Sequence, residues 1–173
     1  MLIILSGLPG VGKTTIARGL ANALGAVHVR IDSMEQALRN MGVNVTGEGY
    51  AVAQAVSEDN LRLGRIVIAD CVNPDPESRN DWRSVAERAG VDPLDVEIVC
   101  SNHDEHRRRV ESRRSDIPGH RLPVWADVVA RDYRPWHRDR LVIDTARLDA
   151  QQSIEVIVAI VRGSDSQALN CST

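Results

Sequence analysis

The chain has 173 residues, of which 43% are hydrophobic and 26% charged, and its formal net charge at pH 7 is −3. This length and apolar content suit one globular domain with a full core. The small negative charge and the 3% of aromatic residues disfavour a nucleic-acid-binding protein, because no global positive field attracts phosphates and few rings are available to stack on bases.

Apolar, β-rich runs alternate with stretches of helical composition along the chain. The predicted strands cover residues 2–5, 27–31, 66–69, 96–100 and 141–143, and the predicted helices cover 14–24, 33–41, 51–63, 78–89, 104–114, 123–133 and 151–161. This alternation predicts a three-layer α/β fold, with a parallel sheet covered by helices on both faces. We expect one domain over residues 1–162, followed by a flexible polar tail over 163–173.

The first predicted strand leads into a glycine-rich loop, GLPGVGKT at residues 7–14, which has the form G-x-x-x-x-G-K-[ST]. In this form backbone N–H groups surround phosphate oxygens, the lysine reaches the β- and γ-phosphates, and the threonine hydroxyl ligates Mg²⁺. Lys13 is the single lysine of the chain, and we expect it to act in catalysis. The motif predicts ATP and Mg²⁺ as cofactors, bound by Gly7, Leu8, Pro9, Gly10, Val11, Gly12, Lys13, Thr14 and Thr15.

A carboxylate, Asp32, follows the second predicted strand, and ligands of open parallel sheets bind beyond the carboxyl ends of the strands. At this place a carboxylate could bind the acceptor and take the proton of its attacking hydroxyl as a general base. The alternative is structural. Asp32 or Ser33 could cap the next helix, with Glu35 completing a capping box.

A second carboxylate, Asp70, ends an apolar run and gives the third strand the form of a Walker B strand. Such an aspartate holds Mg²⁺ or one of its waters, so we predict a metal site made by Thr14 and Asp70. The alternative is that Asp70 forms a turn with Asn73 and Pro74.

The most basic stretch of the chain lies on the predicted helix at 104–114. On this helix Arg109 and Arg113 share one face, because residues four positions apart are neighbours. Arg107 and Arg114 flank Glu111 on the other face. We predict that Arg109 and Arg113 approach the transferring phosphate and act in catalysis, and that the second face is a solvated ion-pair stripe.

Two arginines have open alternatives. Glu105 precedes Arg109 by one helical turn and could hold it in a structural ion pair. Arg79 begins the helix after the third strand, where it could either bind the acceptor or pair with a carboxylate at the surface.

The three cysteines, Cys71, Cys100 and Cys171, are odd in number and lack C-x-x-C spacing. They predict reduced thiols in a cytoplasmic protein and no metal site. The apolar run at residues 1–5 is cut short by Gly7 and is too short for a signal peptide, and no run is long enough to span a membrane.

Four motifs together carry a family resemblance: the loop at residues 7–15, Ile31-Asp32-Ser33, Ile68-Ala69-Asp70 and Arg109-Val110-Glu111-Ser112-Arg113. The chain resembles the small P-loop kinases related to nucleoside monophosphate kinases. It is most similar to the branch that holds chloramphenicol phosphotransferase, adenylylsulfate kinase, gluconate kinase and the 5′-kinase domain of polynucleotide kinase.

The resemblance covers about residues 1–162 and implies a P-loop NTPase fold with a five-stranded parallel sheet and an arginine-bearing helical lid over about 104–133. It implies ATP-dependent transfer to an acceptor held between the segments after strands two and three. By the same resemblance, Asp32 is the base, and Arg109 and Arg113 contact the nucleotide phosphates.

The predicted function is transfer of the γ-phosphate of ATP to a hydroxyl of a small molecule. Between residues 33 and 65 the arginine-rich acceptor signature of nucleoside monophosphate kinases is not evident, since Arg39 and Arg62 stand far apart, and this favours an acceptor without a phosphate. Two alternatives remain open: a nucleotide-binding ATPase or switch without an acceptor, and a kinase of a nucleotide or RNA 5′-hydroxyl. Neither the acceptor nor the oligomeric state can be read from the residues.

Overall fold

The computed structural model describes residues 1–170, with side chains described for residues 1–163. Five strands are present: β1 (Leu2–Ser6), β2 (Val27–Arg30), β3 (Val67–Asp70), β4 (Pro93–Val99) and β5 (Leu141–Asp144). Seven helices connect or follow them: α1 (Lys13–Leu24), α2 (Ile31–Asn40), α3 (Glu48–Arg62), α4 (Pro76–Ala89), α5 (His103–Ser112), α6 (Trp125–Val129) and α7 (Ala150–Asn170). These elements occur in the predicted order.

The strands form one parallel sheet in the order β2-β3-β1-β4-β5. The central strand β1 is buried along its whole length, because helices cover both faces of the sheet. Its side chains alternate between two separate cores. Leu2 and Ile4 pack in one core with Trp82 of α4, whereas Ile3 packs in the other with Leu20 of α1. The predicted three-layer α/β architecture with a five-stranded parallel sheet is confirmed.

Several element boundaries differ from the prediction in ways that affect the site. The second strand ends at Arg30, and α2 begins at Ile31. Helix α5 ends at Ser112, and the predicted helix at 123–133 shrinks to the five residues of α6. A long non-helical loop therefore joins α5 to α6, and it contains Pro118 and Gly119, which both disfavour helix.

The last helix, α7, extends to Asn170, so residues 163–170 continue a helix where the sequence predicts a polar tail. Extending a packed helix needs no new nucleation, and a polar sequence can therefore follow it. Residues 171–173, including Cys171, lie outside the described part of the chain. Among the described residues, no helix has the length and hydropathy needed to cross a membrane.

Candidate functional site

A cleft of about 1860 Å³ opens at the carboxyl ends of the parallel strands, where ligands of open α/β sheets bind. Its walls come from the phosphate loop, the segments after β2 and β3, and the loop between α5 and α6. The predicted site residues that line it are Pro9, Gly10, Gly12, Lys13, Thr14, Thr15, Asp32, Asp70, Arg109 and Arg113. The structure therefore brings most of the predicted site together in one cavity.

The phosphate loop between β1 and α1 requires glycine at two close approaches. A Cβ atom on Gly7 would lie 2.2 Å from the backbone oxygen of Ile98, and one on Gly10 would lie 2.4 Å from Cγ2 of Val110. Both glycines also have positive φ, 138° and 90°. Gly12 caps α1 without a side-chain hydrogen bond, so the first backbone N–H groups of this helix can bind an anion.

Lys13 lies buried at the floor of the cleft. Its Nζ donates to the backbone oxygens of Gly7 at 2.7 Å and Leu8 at 2.9 Å. Burial lowers the pKa of Lys13, and the nearby charges of Asp70 and Asp32 oppose that change. An ammonium group has three hydrogens, so one remains for a phosphate oxygen after the two loop carbonyls are satisfied.

Asp70, which is 4% exposed, lies at the end of β3 and accepts a hydrogen bond from Nε2 of His28 at 3.1 Å. Burial would raise the pKa of Asp70, but the hydrogen bond from His28, the charge of Lys13 and the hydroxyl of Thr14 together hold it below its usual value. The carboxylate is therefore ionised beside a hydroxyl. A carboxylate and a hydroxyl completed by substrate phosphates fit Mg²⁺, which prefers oxygen ligands.

The alternative for Asp70, a turn with Asn73, is wrong. Nδ2 of Asn73 donates instead to the hydroxyl of Ser6 at 3.0 Å. Asn73 has a φ of 47°, in the left-handed region that asparagine tolerates better than most residues.

Asp32 lies in the first turn of α2, and the capping alternative is wrong. The N-cap position belongs to Arg30, which makes no side-chain cap bond. Glu35 pairs with Arg39 at 2.8 Å and completes no capping box. Because the strand ends one residue earlier than predicted, Asp32 is already inside the helix and its carboxylate faces the cleft.

The negative charge of Asp32 influences two cations of the site. Its charge acts on Lys13 and on Arg113, in both cases against the lowering of their pKa values by burial. An oxygen of Asp32 also lies 3.8 Å from a guanidinium nitrogen of Arg30. A half-exposed carboxylate in this position can accept a proton from a hydroxyl that approaches along the cleft.

Arg109 and Arg113 occupy different environments. Arg109 donates to Glu105, as the alternative in the sequence suggested, and also to the hydroxyl and backbone oxygen of Thr145 after β5. Arg113 follows the end of α5, so the two do not share a helix face as predicted. The Nε of Arg113 is buried without a hydrogen-bond partner among the described residues, and one NH2 group donates to the oxygen of Pro123 at 3.3 Å.

The predicted ion-pair stripe on the outer face of α5 is present for Arg107 and Glu111 but does not include Arg114. Arg107 pairs with Glu111 at 2.8 Å, and both are exposed. Arg114 lies beyond the end of the helix and lines the cleft instead. A helix-face argument fails there because the backbone is no longer helical.

Arg79 is not among the residues that line the cleft, and its position fits neither of the two roles that the sequence left open, acceptor binding or a surface ion pair. It is 2% exposed, and its guanidinium lies 4.2 Å from the ring centroid of Trp136. The residues whose backbone oxygens accept its hydrogen bonds are Asn73, Pro74, Arg134 and Pro135. Its role is to fasten the segment before β5 to the loop after β3.

Replacing Arg79 with alanine is expected to lower the free energy of unfolding by about 3 kcal/mol or more, because the buried carbonyls lose charged donors. Chemical denaturation measures the loss. Arg107→Ala, which removes an exposed arginine, should change stability by less than about 0.5 kcal/mol. A similar small effect at Arg79 would mean that water replaces its hydrogen bonds.

Sequence reasoning missed His106, which lies on the buried face of α5. Its Nε2 lies 2.9 Å from the backbone oxygen of Pro9, and its ring contacts Trp125 edge to face at 5.1 Å. Burial lowers the pKa of His106, so the neutral imidazole donates to the phosphate loop. Val110 lies four residues after His106 and so shares its helix face, and this apolar neighbour could have indicated that His106 is buried.

Asp116, in the loop between α5 and α6, was also missed. It accepts hydrogen bonds from Arg18 of α1 and from Arg30 at the end of β2. The hydrogen bond from Arg18, followed by that from Arg30, lowers the pKa of Asp116 to about 2. Nothing in the local sequence pairs these residues.

The chain is similar in sequence to a known family and to several other proteins. The sequence model of a family described as AAA domain matches residues 2–132. A protein of Aeropyrum pernix, named probable adenylyl-sulfate kinase, is 25% identical, and the match covers 94% of this chain and 92% of that protein. An uncharacterized protein of Mycobacterium tuberculosis is 32% identical over 84% of this chain, but the chain spans only 32% of that longer protein.

A solved structure shares the fold. The APS kinase CysC of Mycobacterium tuberculosis, in complex with AMPPNP and APS, superposes with a TM-score of 0.62 at 19% identity, over 92% of this chain and 96% of that chain. At this identity the likeness concerns the fold alone.

Proposed function

This chain belongs to the family described as AAA domain, and we propose that it is a kinase. In this proposal it transfers the γ-phosphate of ATP to a hydroxyl of a small molecule. One observation carries the proposal. Asp32, Lys13 and Arg113 line one cleft that begins at the phosphate loop, and the charge of Asp32 acts on both cations. A base, a phosphate-binding cation and a second cation in one cleft are the parts that phosphoryl transfer needs.

The phosphate loop supports ATP binding. The uncapped N-terminus of α1 presents N–H groups to the phosphates, and Lys13 adds a positive charge below them. Thr14 and Asp70 would hold Mg²⁺, which neutralises charge on the β- and γ-phosphates when it is bound. The hydrogen bond from His28 to Asp70 fixes the orientation of that carboxylate.

Asp32 is the proposed base for the acceptor hydroxyl. A general base must be ionised and within reach of the proton that it removes. Asp32 makes no capping bond and lies on the cleft wall beside the phosphate loop. The side chain is therefore available for chemistry, and this supports a kinase with an acceptor over an ATPase or switch without one.

The acceptor is proposed to bind between α2, α3 and the segment after β3. The cleft extends there past Gln36, Tyr50 and Ser78. Arg39 and Arg62, the two arginines of these helices, are each paired with a glutamate on their own helix. Neither is poised to hold a phosphate, and this supports an acceptor without one.

The test is a transfer assay. Purified protein is incubated with ATP and Mg²⁺ and with panels of alcohols, sugars, nucleosides and short RNA 5′-hydroxyl ends, and ADP formation is compared with and without each compound. A small molecule that stimulates ADP release and gains a phosphate supports the proposal. Stimulation only by RNA ends supports the nucleic-acid alternative, and basal hydrolysis unaffected by every compound supports the ATPase alternative.

Arg113→Ala is expected to slow phosphotransfer by about 10-fold or more while ATP affinity changes little, because a lid arginine acts mainly on the charge of the transition state. Rapid-quench rates and a separate nucleotide titration measure the two effects. Arg107→Ala is the matched control, since this arginine lies on the exposed side of the lid helix in a pair with Glu111. Equal losses in the two variants would contradict the assigned role of Arg113.

A further inference from the structure

The loop between α5 and α6, residues 113–124, is fastened to the core of the protein through one carboxylate. Asp116 accepts hydrogen bonds from Arg18 of α1 and from Arg30 at the end of β2. These two arginines come from different elements, and Asp116 comes from a third. The contact therefore connects the loop to two other walls of the cleft, which all three residues line.

The contact of Asp116 should stabilise the protein more than an ordinary ion pair at the surface does. The guanidinium of Arg30 places one nitrogen 3.0 Å from each oxygen of Asp116, and the side chain of Arg30 is only 12% exposed. Exposed single ion pairs contribute little to stability because water screens the charges and forming the pair costs side-chain conformational entropy. Here one half-exposed carboxylate is shared by two guanidinium groups, one of them largely buried.

Loss of Asp116 would leave Arg30 poorly satisfied. The Nε of Arg30 is buried and has no hydrogen-bond partner among the described residues. An oxygen of Asp32 lies 3.8 Å from a guanidinium nitrogen of Arg30, which is within ion-pair distance but too long for a hydrogen bond. A buried cation that loses its acceptor is costly, so Arg30 draws the loop toward the core.

The same loop carries Arg113, three residues before Asp116. The backbone N–H of Arg113 donates to the oxygen of Arg109 at 3.2 Å. Among the described residues, its side chain makes one hydrogen bond, to the backbone oxygen of Pro123 at 3.3 Å, and its Nε has no partner. These contacts leave the guanidinium without a strong restraint. The nearby contact of Asp116 with the core can supply that restraint.

We propose that Asp116 is a positioning residue that acts as the clasp of the lid. By bridging Arg18 and Arg30, it holds residues 113–124 across the cleft and places Arg113 beside the phosphoryl group in transfer. This inference rests on the proposed function, because it assigns the restraint to the arginine that acts in the transfer step.

The test combines Asp116→Asn, Arg30→Gln and the double variant with amide hydrogen exchange of residues 113–124, measured with a saturating non-hydrolysable ATP analogue. Asp116→Asn should speed exchange in this loop by about 10-fold, because a local closing contact is lost. Arg30→Gln should speed exchange by less, because Arg18 still holds Asp116. The double variant should exchange no faster than Asp116→Asn, since that variant already removes the contact with Arg30.

Turnover provides a second readout. Asp116→Asn should reduce the rate of ATP turnover by about 10-fold while the affinity for ATP stays within about 3-fold, because placement of Arg113 affects the transition state more than the ground state. Glu111→Gln is the matched control. It removes a carboxylate that pairs with an arginine on the same lid, and it should change neither exchange nor turnover.

Three results would contradict the proposed positioning role of Asp116. The first is exchange in residues 113–124 that stays at the wild-type rate in Asp116→Asn. The second is an additive increase in the double variant, and the third is an equal effect in Glu111→Gln. Melting curves exclude general unfolding as the cause of faster exchange. Hydrogen exchange needs no acceptor, so it tests the role of Asp116 even if no hydroxyl compound is phosphorylated. The absence of any phosphorylated compound would count against the proposed function alone.

Discussion

Replacing Lys13 with alanine is expected to reduce ATP turnover by on the order of 10²–10³-fold, because the site loses the positive charge that faces the transferred phosphate. The fold should survive. Among the described residues, the ammonium of Lys13 donates hydrogen bonds to the backbone oxygens of Gly7 and Leu8, and the cleft that Lys13 lines lets water take its place beside them. Steady-state ATP turnover measures the first effect, and circular dichroism with thermal melting measures the second.

A second variant, Lys13→Met, separates charge from packing. Methionine keeps most of the apolar stem of lysine and loses the ammonium group. Equal loss of turnover in the alanine and methionine variants would assign the effect to the charge. An unfolded alanine variant beside a folded methionine variant would show that the stem supports the loop, and full turnover in the methionine variant would refute the phosphate role of Lys13.

Asp32→Asn is expected to reduce phosphoryl transfer to the true acceptor by on the order of 10²-fold or more, the usual scale for loss of a general base. Asparagine has nearly the same shape but cannot take a proton at neutral pH. Stability should barely change, since Asp32 makes no helix-cap bond that the variant could lose. Affinity for ATP should also stay near the wild-type value. Initial rates with the acceptor, a nucleotide titration and a melting curve together test the prediction.

Asp104→Asn is the matched control for Asp32→Asn. Asp104 is also the second residue of its helix, α5, and it is fully exposed. Both variants remove a negative charge near a helix N-terminus, but only Asp32 lies in the cleft. Near wild-type transfer in Asp32→Asn would exclude it as the base and make Asp70 the next candidate.

The position of Asp32 shows how far sequence reasoning could reach. Its place after the second strand was predictable, because Asp32 stands between an apolar run and a helical pattern, and both are local features of the sequence. Whether it capped the helix depended on where the helix begins, and α2 begins at Ile31, two residues before the predicted start at residue 33. Such boundaries are set by tertiary packing as much as by local preference.

Arg79 shows a larger failure of the same reasoning. Its position near the start of α4 was predicted correctly, and a surface or substrate role followed from that position alone. The structure buries it because residues 134–136, more than fifty positions later, fold over its guanidinium. No local pattern contains that information.

The sequence by itself determined the order of strands and helices, the parallel sheet and the phosphate loop. Each depends on short-range rules: the continuous apolar run of a buried strand, the 3.6-residue repeat of a helix, and the φ angles that only glycine adopts easily. The tertiary structure alone decided which charged side chains meet. Asp116 lies 98 positions from Arg18 and 86 from Arg30. Pairing over such distances leaves no trace in local composition, because it depends on how packed elements bring remote residues to the same edge of the sheet.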